Sequence, residues 1–174
     1  MATLFNTSSS PSAASMADGN PAVIDAIHRS RRMLNKRALV AGLASAVPVP
    51  GLDWAVDAAL LSKLLPKINA EFGLSAQQLD RLDPTQRDRV QKAIAMTGTV
   101  LVGKLITKDL VLKAAKMIGV RLTAIQAAKF VPLAGQAVSA VVGYAAIRYL
   151  GEQHIKDCVR VAQTAQLALP APGG

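Results

Sequence analysis

Two carboxylates stand four residues apart in an otherwise apolar stretch, Asp53 and Asp57, with Trp54 beside the first. Side chains at i and i+4 share one face of a helix. Such a pair could hold an ion or a proton inside an apolar hairpin, where a carboxylate is costly. The plainer chemistry is electrostatic and is the one favoured. Asp53 follows a proline-glycine corner where an N-cap belongs, and both acids complement the positive end of a helix dipole. Trp54 suits an interfacial anchor or a core position equally.

A second pairing is His154 with Cys158, again one turn apart, which could bring a thiol to an imidazole. No orienting acid accompanies it, so neither catalytic residues nor an enzyme is inferred. Cys158 is the sole cysteine, which excludes an internal disulfide and a cysteine-built metal site and fits a reducing compartment. His28 and His154 lie far apart without ligand spacing, so no metal and no cofactor is expected.

The strongest charge feature is Arg29, Arg31, Arg32, Lys36 and Arg37, set against Asp25 and followed by a charge-free run over residues 38–52. Cations beside an apolar segment gain roughly 1 kcal/mol each near an anionic membrane. An ordinary solvated helix face is the alternative. Lys104, Lys108, Lys113, Lys116, Arg121 and Lys129 extend the basic character, and the whole chain carries +9 with a pI near 10.1. An anionic partner is therefore physically reasonable. Aromatic residues make up 3% of the chain, which leaves few stacking platforms, and no RNP, zinc-finger or zipper motif occurs. Nucleic acid is disfavoured.

The elements that must position these groups are helical. A basic amphipathic helix is expected from Pro21 toward Val47, stopped by Pro48, Pro50 and Gly51 because proline removes a donor. A helix over residues 54–70 follows, with Gly73 as its C′ residue. Ser75 with Gln78, and Asp83-Pro84 with Gln86, read as caps opening a short helix and then one over residues 84–102. Further helices are expected over residues 108–118 and from Gln136 toward Leu167. No alternation of strand period occurs, so the class is all-α. Residues 1–20 read as a disordered Ser/Ala-rich leader, 21–168 as one helical domain, and 169–174 as a flexible tail.

Within that domain the proline-glycine corner occurs twice. Val47-Pro48-Val49-Pro50-Gly51 and Val131-Pro132-Leu133-Ala134-Gly135 match at a fixed offset, each followed by small residues every fourth position. Gly51, Ala55 and Ala59 correspond to Gly135, Ser139 and Gly143, a stripe along which a second backbone can approach closely. The expected architecture is a helical bundle around two such apolar hairpins, as an internal duplication would produce. The longest charge-free run, residues 130–147, is eighteen residues with Pro132 and Gly135 near its start. A span needs about 20 apolar residues, so a hairpin dipping into one leaflet, or a core hairpin, is expected instead.

These residues resemble a known family. Val47-Pro48-Val49-Pro50-Gly51-Leu52-Asp53, Leu64-Leu65-Pro66-Lys67-Ile68 and Phe72-Gly73-Leu74 look like its first half. Lys129-Phe130-Val131-Pro132-Leu133-Ala134-Gly135, running into the segment that ends at Gly151, looks like its second. The family is domain-of-unknown-function family 697, found in YcjF-like inner-membrane proteins and fused behind Era-like GTPase domains. The resemblance covers residues 36–151 and implies a bacterial, helical, membrane-associated module working beside a GTPase, with no catalytic residues to carry over. The chain has no GxxxxGK[ST] phosphate loop, so nucleotide chemistry would belong to a partner.

The expectation is therefore a non-enzymatic module at the cytoplasmic face of the bacterial inner membrane. It would bind an anionic membrane surface, a GTPase or other protein, or a second copy of itself. A soluble, cytoplasmic helical adaptor is the first alternative, and a secreted membrane-active effector the second.

Overall fold

The computed structural model describes residues 11–45, 52–99, 101–103 and 134–170; for 44, 45, 52–58, 134–143 and 146 it describes the backbone alone. In chain order the helices are α1 (Ala13–Met16), α2 (Pro21–Ser45), α3 (Leu52–Glu71), α4 (Ala76–Asp80), α5 (Pro84–Thr97) and α6 (Ala134–Thr164). Among the described residues there is no strand, and the fold is an all-α bundle.

The longest helix, α6, is the axis of the molecule, and α1, α2, α3 and α5 all pack on it. Contacts fix the directions. Arg31 of α2 meets Glu152 of α6 while Asn35 meets Arg148, so these two helices are antiparallel. Arg29, early in α2, pairs with Glu71 at the end of α3, so that pair is antiparallel as well.

Burial follows from spacing. Val23, Ala26, Ile27, Ser30, Leu34, Ala38 and Ala41 recur every three or four residues along α2 and are all buried. They meet Leu61, Leu64, Leu65, Ile68 and Phe72 of α3 and Ile147, Ile155 and Val159 of α6 in one core. Each fully buried large side chain contributes about 1.5–3 kcal/mol. Pro66 lies inside α3 and cannot donate to the Ser62 carbonyl one turn back.

The caps read from sequence are present at two helices. Ser75 and Gln78 form a capping box, and Asp83 accepts from the Gln86 amide with Pro84 in the first turn of α5. Gly73 takes a left-handed φ of +72° just after α3.

Other expectations need correction. The helix expected over 84–102 ends at Thr97, because Gly98 adopts a left-handed cap with φ +66°. Residues 12–20 are not a disordered leader. Ser12 caps α1, and Ala13 and Ala17 bury completely, since small apolar side chains fit the α6 surface. Leu169 and Pro170 are likewise half-buried, Leu169 against the core and Pro170 near Gly73, so the flexible tail does not begin at 169. Asp53 is not the cap of α3: the helix opens at Leu52, which puts Asp53 in the first turn. Gly135 is not a corner residue but lies in the first turn of α6, where amide donors lack internal partners anyway. Pro48, Pro50, Gly51 and Pro132 fall outside the described residues, as does the helix expected over 108–118.

Candidate functional site

The five cations of α2 separate into two groups once the helix is packed. Arg29 turns inward to Glu71, Nε to Oε2 at 2.6 Å. Arg31 grips Glu152 with Nε and Nη2 at 2.8 and 2.9 Å, a two-point contact that a guanidinium fork makes readily. Their charges are matched within the fold, and they do not belong to an open basic patch. Arg37 is half-buried. Arg32 and Lys36 are exposed, one turn apart, on the face opposite the core.

That face continues in a different chemistry. Beyond Lys36 it presents Leu39, Val40 and Leu43, which are 59%, 49% and 75% exposed. Large apolar side chains in a row on a solvated helix face mark an interaction surface more often than chance exposure does. The antiparallel register, with Asn35 opposite Arg148, brings the exposed Ala145 and Tyr149 of α6 alongside the same end of α2. One stripe of α2 thus runs from His28 through Arg32 and Lys36 to Leu39, Val40 and Leu43, cationic first and apolar after.

Of the other residues singled out from sequence, Ala59 is half-buried in α3. Trp54, Ala55, Ser139 and Gly143 lie within α3 or α6, but their side chains fall outside the described residues, as do those of Asp53 and Asp57. The basic residues from Lys104 to Lys129 fall outside them entirely.

The thiol–imidazole pairing is present, with a third member that the sequence reading did not include. Asn69 of α3 points its amide between α6 and the turn at residues 101–103. Its Nδ2 donates to the Leu101 carbonyl at 3.3 Å, which leaves Oδ1 as the acceptor. His154 Nε2 lies 2.9 Å from that oxygen and Cys158 Sγ 3.4 Å, with Sγ and Nε2 3.7 Å apart. Because an amide oxygen only accepts, Nε2 carries the hydrogen and neutral His154 leaves Nδ1 bare. Nδ1 is buried without a hydrogen-bond partner. Burial lowers the His154 pKa from 6.5 to about 4, only partly opposed by the nearby Leu65 backbone carbonyl. Burial, with the Asp157 charge beside it, pushes the Cys158 thiol well above its ordinary range.

A neutral imidazole beside a protonated, fully enclosed thiol is the opposite of an activated nucleophile. The trio ties α3, α6 and the 101–103 turn together. Its missing signal was legible: Leu61, Leu65, Ile68 and Phe72 put Asn69 on the apolar face of α3, where a polar residue must find a partner.

Among the described residues no group of three or more His, Cys, Asp or Glu side chains could hold a metal. No described helix is long and apolar enough to cross a membrane. No family model matches the chain, and neither a curated protein nor a solved structure matches it.

Proposed function

We propose that this protein is a non-enzymatic module that binds anionic membrane surfaces through the exposed face of α2. The observation that carries the reading is the order of side chains on that face. Arg32 and Lys36 offer cations to lipid phosphates, and Leu39, Val40 and Leu43 directly after them offer apolar mass to the acyl boundary. Each cation near such a surface is worth about 1 kcal/mol, and burying exposed leucines adds about 25 cal/mol per Å² of apolar area. The net charge of +9 acts over a longer range to favour encounter. The resemblance to family 697 points the same way, toward the cytoplasmic face of a bacterial inner membrane.

Co-sedimentation with vesicles tests the reading. Binding should require phosphatidylglycerol, be weak on phosphatidylcholine alone, and fall as salt rises, since screening shortens to about 10 Å at 0.1 M. Recovery wholly in the supernatant at low salt with anionic vesicles would sink it.

The second reading is a helical adaptor docking on a GTPase or another protein. Exposed Tyr149 favours it, because aromatic residues are enriched at the centres of protein interfaces. An effector acting on a foreign membrane would use the same α2 face and differ only in how it is delivered.

A further inference from the structure

The trio of Asn69, His154 and Cys158 brings buried polar groups together on a joint between elements. Asn69 belongs to α3, His154 and Cys158 to α6, and the Leu101 carbonyl to the turn that follows α5. A second tie to α6 comes from Thr99, just after α5, whose Oγ1 donates to Asp157 Oδ2 at 3.2 Å. Val102 at the centre of the turn is completely buried, so the two ties hold an apolar plug in place. His154 Nε2 is satisfied by Asn69, while Nδ1 makes no hydrogen bond among the described residues.

We propose that Asn69, His154 and Leu101 form an acid-released latch, which holds the 101–103 turn and α3 against α6 until His154 takes up a second proton. The reason is that, among the described residues, the side chains bonded to His154 are uncharged. From α3 the imidazole meets the neutral Asn69 and Leu65. From its own helix it meets the Cys158 thiol, while Asp157 is turned to Thr99 and Arg160 and acts on Cys158. On α2, which packs against α6, Arg29 and Arg31 are already matched by Glu71 and Glu152. The Leu65 backbone carbonyl offers the imidazolium partial relief, but burial outweighs it, so the enclosed second proton favours a state in which the joint opens to water.

The closed state resists the proton down to about pH 4, whereas an opened, hydrated His154 takes it near 6.5. Linkage between those values makes opening about 20-fold more favourable at pH 5 than at pH 7. Use of the latch at a membrane rests on the anionic-surface reading above; the latch itself does not.

Cys158 supplies the readout, since it is the sole thiol, is fully buried and belongs to the joint. The intact protein is labelled with dithiodipyridine at several pH values, and each rate is divided by that of the denatured chain. The normalised rate should rise about 20-fold from pH 7 to pH 5 in the parent and stay nearly flat in His154→Gln, whose amide can still donate to Asn69. A flat parent profile, or an equal rise in the variant, overturns the latch. If His154→Gln does not fold, the ring-proton titration of His154 decides. A midpoint near 6.5 overturns the proposal, and one near 4 supports it. Vesicle sedimentation at both pH values separates the two ideas. Acid-dependent labelling without acid-enhanced binding to phosphatidylglycerol keeps the latch and removes its membrane use. Anionic binding with pH-independent labelling keeps the membrane reading and removes the latch.

Discussion

Leu34 of α2 lies directly over Gly151 of α6, so close that a β-carbon on the glycine would fall inside van der Waals contact of the leucine methyls. Both residues are buried, and Leu34 is completely so. The contact lies between the Arg31–Glu152 and Asn35–Arg148 pairs, which fix the crossing from either side. This is the close backbone approach that small residues permit, and it stands two turns beyond the stripe read from sequence.

Gly151→Ala should therefore destabilise the protein although alanine is the better helix former. Overpacking costs about 1–3 kcal/mol, against a propensity gain of up to about 1 kcal/mol. Thermal unfolding gives the sign. A raised melting temperature would mean that Leu34 has room to move aside.

Charge reversal should separate the two groups of α2 cations. Arg32→Glu with Lys36→Glu should release the protein from phosphatidylglycerol vesicles and leave its melting temperature within a degree or two. Arg31→Gln should do the reverse. It leaves Glu152 half-buried with only the longer 3.9 Å contact from Arg148, and costs about 1 kcal/mol of stability with little loss of binding. Equal loss of binding in both variants would show that overall charge acts, not the α2 face.

The exposed leucines can be tested apart from the cations. Leu43, at 75% exposure, should accept serine with a stability change under about 0.5 kcal/mol. Vesicle binding should become weaker and more sensitive to salt, because only the electrostatic half remains. An unaltered salt profile would remove Leu43 from the interface.

Stability itself should depend on acidity through His154. Its pKa is depressed in the folded state, so the unfolded chain binds more protons between about 6.5 and about 4. Stability therefore falls as pH drops through that window, by up to about 3 kcal/mol. Asp157 has the opposite sign. Burial raises its pKa, so protonating it near the carboxylate range favours the folded state and offsets part of the loss. Urea denaturation at pH 7 and pH 5, in the parent and in His154→Gln, measures the histidine share; identical losses would exclude it.

Asn69→Leu removes the acceptor that His154 and Cys158 share and the donor to Leu101. A buried donor left unsatisfied costs about 1–3 kcal/mol. Amide exchange should quicken at Leu101, Val102 and Gly103 before it does in the core of α2. Uniform quickening would show that Asn69 supports the whole bundle and not the turn.

The sequence by itself determined the all-α class and the capped starts of α4 and α5, but not α1 or the stop of α5. Helix-period burial in α2, the Ser75 and Asp83 caps and the left-handed Gly73 are consequences of local backbone chemistry, which neighbouring residues decide. It also put Arg32 and Lys36 in line with Leu39, Val40 and Leu43, because period alone places them on one face. Tertiary structure decided which cations stay available. Arg29 and Arg31 look equivalent to Arg32 in the chain, yet each finds a carboxylate tens of residues away on another helix. It likewise decided the fate of His154 and Cys158. Spacing brings those two together, but Asn69 arrives from α3, and burial by three elements is what keeps both neutral. Local rules set geometry within a helix, whereas partner choice and dielectric environment depend on contacts that exist only after the helices have packed.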